Sequence, residues 1–374
     1  MSYKSIDVLQ KELGNTVFSY AKDQKKAAGR ALGTFVEIIT YYLLDSWGFS
    51  RNIAIETPLK EFSNPEITHN VEFTLQPCVC SESVSFKKKE LPLTPKKILQ
   101  KIHSIENGEI DANSLLSRSK QLKNACKIRH NNQIMSLATL TGKNRISLKV
   151  NISDLLLFPF AMFECKRVGV EEGMHKGPQT IEKAKQGAYV ARAVSALQRL
   201  RGRNGNLMGF LEKDSGGPLI GNYYDLLNAM IDKPENSLLL KDFVLTVGVI
   251  SNHGNWFTQD NMNKELEVLA QSYDWLLFLS DEGLSEFIES CVLSNDHKEI
   301  KNAFKSSYQK KNGNRFTKTI INMDAHFALK DYFSRNADRI FSWFNLIAPS
   351  NKTVADLQKQ LTVLQEKQWE TIYP

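Results

Sequence analysis

Three residues near the middle of the 374-residue chain have types and spacing suited to chemistry: Asp154, Glu164 and Lys166, within the stretch Asp154 to Lys166, DLLLFPFAMFECK. In an extended strand residues i and i+2 point the same way, so Glu164 and Lys166 share one face while Cys165 points to the other. The four residues before Glu164, Phe160 to Phe163, are all apolar. A strand buried on both faces has this composition, so the pair is expected where a core strand reaches the surface. Asp154 closes its own strand, RISLKVNIS, and Leu157-Phe158-Pro159 leaves room for a turn. The expectation is two antiparallel strands with all three groups at one end. Two carboxylates suit a hard divalent cation, and a neighbouring ammonium can steady negative charge that builds up during hydrolysis. An ordinary salt bridge at a strand end is the competing reading of Glu164 and Lys166.

The pattern resembles the PD-(D/E)XK nuclease superfamily, whose signature is an acid in one strand and an acid-x-Lys triplet in the next. Ser153 stands where many members have a proline. The resemblance implies an α/β (α+β) fold with a restriction-endonuclease-like core, a mixed central sheet flanked by helices, with large and mostly helical insertions. It implies Mg²⁺ held by Asp154, Glu164 and the Cys165 carbonyl, with Lys166 acting on the attacking water. A glutamate on the first core helix often reaches the metal in this family, and Glu37 fits that position; a plain surface glutamate is the alternative. The activity implied is hydrolysis of phosphodiester bonds in double-stranded DNA, most like a type II restriction endonuclease working as a cytoplasmic homodimer. A DNA-repair or structure-specific nuclease of the same fold is the second reading. A DNA-binding protein with a coincidental acid-x-Lys is the third.

The elements that must position these residues can be read from periodicity. Apolar residues recur at helical spacing from Leu32 to Leu44, with Gly48 as the stop and Glu37 inside the run. Residues 52–57 and 69–75 read as strands, with Pro58 ending the first. Pro178 opens a helix expected to run to Leu200 and close at Gly202, placing Lys183, Lys185, Gln186 and Tyr189 on the approach to the site. Phe243 to Ile250, FVLTVGVI, reads as the last core strand. Val354, Leu357, Leu361 and Leu364 form a short heptad seam, for packing on the body or on a second subunit. The divisions are 1–57 (start of the core), 58–146 (a basic insertion), 147–293 (core continued) and 294–374 (a helical C-terminal region, a candidate DNA-contact or dimer element).

Charge is uneven along the chain. The net charge is +7, yet residues 78–150 hold fourteen Lys and Arg against five Asp and Glu. A basic insert on a near-neutral body suggests a polyanionic partner, since cations gain affinity by releasing counterions condensed on phosphates. Lys87, Lys88, Lys89, Lys96, Lys97 and Lys101 are candidates for phosphate contact; Arg118, Lys120, Lys123, Lys127 and Arg129 could contact phosphate or, for the arginines, guanine edges. Lys301, Lys305, Lys310, Lys311, Arg315 and Lys318 form a second basic run around Gly313. The five cysteines lack metal-ligand spacing and read as reduced thiols. No secretory signal, membrane span or GxxxxGK[ST] loop is visible, so neither a membrane nor a nucleotide cofactor is expected. DSGGP around Ser215 resembles a serine-protease nucleophile loop but has no histidine in a matching setting, and reads as a turn.

Overall fold

The apolar helical repeat before Gly48 folds as expected in a computed structural model that describes residues 3–103, 105–169, 178–213, 216–253, 264–308 and 315–373. A short helix α1 (Ile6–Thr16) precedes α2 (Gln24–Ser46). Asp23 starts α2 by accepting the Lys26 amide at 2.9 Å, and Gly48, at φ 93°, turns the chain out after it. Leu32, Phe35, Val36, Ile39 and Tyr42 are buried, so α2 is a core helix.

Among the described residues sixteen strands follow in chain order. The first group is β1 (Ile53–Lys60), β2 (Thr68–Leu75), β3 (Cys78–Lys87), β4 (Glu109–Ile110), β5 (Gln121–Lys123), β6 (Cys126–His130), β7 (Ile134–Lys143) and β8 (Ser147–Leu156). The second is β9 (Ala161–Gly169), β10 (Gln198–Arg201), β11 (Leu207–Leu211), β12 (Leu219–Asn222), β13 (Leu245–His253), β14 (Trp275–Leu279), β15 (Ile320–Asn322) and β16 (Phe344–Ala348). Six of them make the central sheet, in the order β1-β2-β9-β13-β14-β16. β9, β13 and β14 run parallel, and the remaining neighbours pair antiparallel. Helix α2 covers one face, where Phe35 and Ile39 join Phe163 and Cys165 in one apolar cluster. Helix α4 (Pro178–Ala193) covers the other, where Ala184, Ala188 and Ala191 meet Met162, Val168 and Leu276. A mixed sheet flanked by helices is the architecture the sequence led one to expect.

The insertion differs from expectation. It is a five-stranded antiparallel sheet, β3-β8-β7-β6-β4, in which α3 (Pro95–Leu99) is a single helical turn. β8 is the strand that the sequence shows, with Leu148, Val150 and Ile152 alternating and buried; β3 and β6 are obscured by the lysines and polar residues they carry. The boundary moves too: β2 belongs to the central sheet and β8 to the insert, so the insert spans β3 to β8 and not 58–146. β3 and β7 occupy both edges of β8. β8 therefore has no free edge for β9, and the expected antiparallel pairing of the two does not form.

Smaller corrections have local causes. Pro58 does not end β1; it pairs with Asn70 at the sheet edge, where a missing amide is tolerated. α4 stops at Ala193, and Gln198–Arg201 continues as β10 against β11. β13 is not the last core strand, because β14 and β16 extend the sheet. Val354, Leu357, Leu361 and Leu364 are buried within the chain, so the heptad seam is used intramolecularly. In the helix Met323–Arg335, His326 ties α2 to the insert sheet. Its Nδ1 accepts from the Tyr42 hydroxyl at 2.9 Å and its Nε2 donates to the Leu140 carbonyl at 3.2 Å. Burial pushes the imidazole pKa down to about 3, which keeps it neutral in this bridging role. Among the described residues no helix is long and apolar enough to cross a membrane.

Candidate active site on the central sheet

β2 and β9 pair antiparallel with Phe73 opposite Phe163, which brings Glu72 beside Glu164. The Lys166 ammonium lies 2.6 Å from Glu164 Oε1 and 3.1 Å from Glu72 Oε1. Glu164 and Lys166 thus meet on one side of β9, as two-residue spacing requires. Cys165 points the other way, buried, its thiol donating to Thr40 Oγ1 on α2 at 3.4 Å.

Asp154 is not part of this group. It sits on β8 in the insert sheet, where the Ser136 hydroxyl donates to its carboxylate, in a surface depression with Cys80, His103 and Arg129. The acid on the strand neighbouring the acid-x-Lys triplet is Glu72. Asp154 and Glu72 are both acidic residues within strands, and nearness in sequence pointed to Asp154, whereas the strand that pairs with β9 carries Glu72. Pairing of β9 with the earlier β2, across the whole insert, selects the other.

Helix α4 presses close over the pair. A Cβ on Gly187 would lie 2.6 Å from Glu164 Cγ and 2.6 Å from the Tyr273 hydroxyl, so only glycine lets α4 approach this far. Gly248, opposite Glu164 on β13, likewise makes room for the Tyr273 ring, 2.9 Å from where its Cβ would be. The consequence is a carboxylate that is only 6% exposed. Burial, then the adjacent Glu72 carboxylate, pushes the Glu164 pKa up to about 8. Burial opposes ionisation of Glu72 as well, but hydrogen bonding with Glu164 and the charges of Lys166 and Lys318 bring it below the usual carboxylate range. The pair therefore shares one proton near neutral pH. Lys166 is raised despite burial, because both carboxylates face it.

Glu37 reaches the edge of this cluster from α2. Its Oε2 is 3.1 Å from the ammonium of Lys318, which also lies 3.3 Å from Glu56 Oε1 on β1. Burial raises the Glu37 carboxyl, Lys318 opposes the rise, and the Glu72 and Lys166 charges are felt as well. The sequence placed Lys318 in a DNA-contacting arm; it is a buried member of the site. Glu72, Glu56, Gly187, Gly248 and Tyr273 escaped the sequence reading, and Lys318 was read in another role.

Among the described residues no three His, Cys, Asp or Glu side chains are gathered closely enough to hold a metal ion. The chemistry of the donors still fits Mg²⁺, which takes one or two carboxylates and otherwise water and substrate oxygens. Glu72 Oε2 and Glu164 Oε2 are buried oxygens that accept no hydrogen bond. Two such adjacent acceptors are costly unless a proton or a cation serves them.

The expected DNA-contacting cations fall into two groups. Lys97 donates to the Glu90 and Pro92 carbonyls, Lys101 pairs with Glu90, Lys120 pairs with Asp324, and Arg129 donates to the Ile105 and Glu106 carbonyls. Those four are engaged within the fold. Lys87, Lys88, Lys89, Lys96, Arg118 and Lys127 project outward from the insert, with Lys123 half-buried. Gln186 and Tyr189 are exposed on α4, Tyr189 edge-on to His69. The Lys183 side chain, and Lys310, Lys311, Gly313 and Ser215, lie outside the described residues. No protein-family model, no curated protein and no solved structure matches the chain.

Proposed function

We propose that the protein is a Mg²⁺-dependent endonuclease acting on double-stranded DNA, with Glu72 in the role that the sequence pattern gave to Asp154. The observation that supports it best is the pair of buried, facing carboxylates on β2 and β9 with Lys166 between them, at a point where α4 is pressed against the sheet. The two facing carboxylate oxygens accept no hydrogen bond from any other group, so a shared proton holds them in the free protein and a divalent cation could take its place. Glu72 and Glu164 would hold the ion. When bound it would supply Lewis-acid stabilisation of charge on the scissile phosphate and leaving oxygen. Lys166 orients the attacking water and offers its ammonium to the phosphate as negative charge grows there. Glu37 and Lys318 hold the polar edge of the site in register. The overall reaction adds water across a P–O bond: an oxygen of water bonds to phosphorus, the bridging P–O bond breaks, and the departing oxygen takes up a proton.

The insert supplies the DNA-contact surface in this reading, with Lys87, Lys88, Lys89, Lys96 and Arg118 on phosphates and α4 offering Gln186 nearer the cut. Two copies related by a two-fold axis would place one site on each strand, so this reading takes the active form as a homodimer. Plasmid DNA incubated with the protein and Mg²⁺ should give discrete bands. Structure-dependent nicking would point to a repair-type nuclease. A mobility shift without any cleavage would overturn the enzymatic reading.

A further inference from the structure

Lys318 is placed with more care than a surface lysine needs. It follows Phe316, which is buried against Phe304 with ring centroids 5.0 Å apart. Its own carbonyl accepts the Asn124 side-chain amide at 2.9 Å, and the next carbonyl, of Thr319, accepts the Asn124 backbone amide at 2.9 Å. Clamped by Phe316 and Asn124, the backbone delivers a lysine side chain that is 9% exposed to a point between Glu37 and Glu56. Glu56 is held there at a conformational cost: its φ is +52°, in the left-handed region that a glutamate rarely adopts. The β1–β2 ladder passes from Ile55 opposite Phe73 to Thr57 opposite Val71, skipping Glu56 and Glu72.

The charges close on a definite count. Glu37, Glu72 and Glu164, with the exposed Glu56 at the rim, meet Lys166 and Lys318, a formal charge of −2 when all six are ionised. One divalent cation between Glu72 and Glu164, where two oxygens lack donors, brings the cluster to neutrality. A second would leave it positive and would have to compete with an ammonium already ligated by Glu37 and Glu56. A buried lysine paired with Glu37 inside and with Glu56 at the rim resists such displacement, because release would strand its charge in a poorly hydrated place.

We propose that the Lys318 ammonium is a built-in cation standing where a second divalent ion would otherwise bind, so that the site takes one ion and Lys318 positions Glu37 and Glu56 beside it. The inference rests on the metal-site reading given above and states its stoichiometry. The full chain is titrated with Mn²⁺ alone, and bound ions per chain are counted from the electron paramagnetic resonance of the free ion. The expected count is one for the wild type and for Lys318→Arg, which keeps the charge. It is two for Lys318→Met and for Lys318→Gln, each checked for a native circular dichroism spectrum and a cooperative melt. Two ions in the wild type overturn the proposal, whatever the variants do. A single ion in either folded neutral variant also overturns it. A wild type that binds none, or a Glu164→Gln variant that binds as wild type does, removes the metal reading itself and this inference with it.

Discussion

The two sheets each carry a carboxylate that the sequence marks as unusual, and they treat it differently. On the insert sheet Asp154, as little exposed as Glu164, accepts the Ser136 hydroxyl on one oxygen beside a surface depression, with no second carboxylate paired to it. On the central sheet Glu164 faces a second carboxylate, under a helix brought close by Gly187, with one oxygen left without a donor. A lone acid in a strand is a polar residue that a neighbouring hydroxyl can satisfy. Two acids forced together out of water are perturbed, and sites of chemistry are built from perturbed groups. The difference lies in what packs over each residue, not in the residue types.

Exchanging the assignments gives the largest expected effect. Glu72→Gln and Lys166→Ala should each lower DNA cleavage by about a hundredfold or more, since a group acting on transition-state charge is removed. Asp154→Asn should cut at close to the wild-type rate. An inactive Asp154→Asn beside an active Glu72→Gln would reverse the comparison.

Proton linkage sharpens it further. Glu164, raised to about 8, holds in the folded state a proton that its unfolded form releases above the ordinary value of 4.5. That contribution to folding is present at acid pH and is lost as pH rises from the unfolded towards the folded value. A cation bound there must displace the proton. Mg²⁺ affinity should therefore rise about tenfold per pH unit up to about pH 8 and then level off. The measurement is the Mg²⁺-induced rise in melting temperature, larger at pH 8 than at pH 6. A pH-independent rise would place the ion away from Glu164. Asp154→Asn should leave the Mg²⁺ response as it is in the wild type.

The smallest expected effect concerns the insert as a DNA surface. Charge reversal at Lys88 or Lys96 should weaken DNA binding and lower the slope of log affinity against log salt by about 0.9 for each phosphate no longer neutralised. Mg²⁺ binding should be unchanged. An unchanged salt slope would remove these lysines from the interface.

Much of the core was legible in the chain. The apolar helical run with Glu37, the fully buried Phe160–Phe163, the proline start of α4 and the β-branched β13 are written in local periodicity. Burial of Phe160–Phe163 and of the apolar residues of α2 follows from the pattern itself. The insert was misread because lysines and short polar stretches obscure β3 and β6, although the alternation of β8 was legible as a strand. Glu164 and Lys166 were legible as a pair because two-residue spacing in a strand suffices to bring them together.

What the sequence by itself determined is therefore the acid-x-Lys strand, the helices on either side of it, and the class of sheet they build. Which acid completes the site was decided only in three dimensions. Strand pairing joins residues far apart in the chain: β9 lies beside β2 and not β8 because β3 and β7 already occupy the edges of β8. The same holds for Lys318, carried to Glu37 by a segment whose hydrogen bonds to Asn124 no local pattern reveals. Local propensity reaches a few residues along the chain, whereas the electrostatics of a buried cluster depends on everything that excludes water from it.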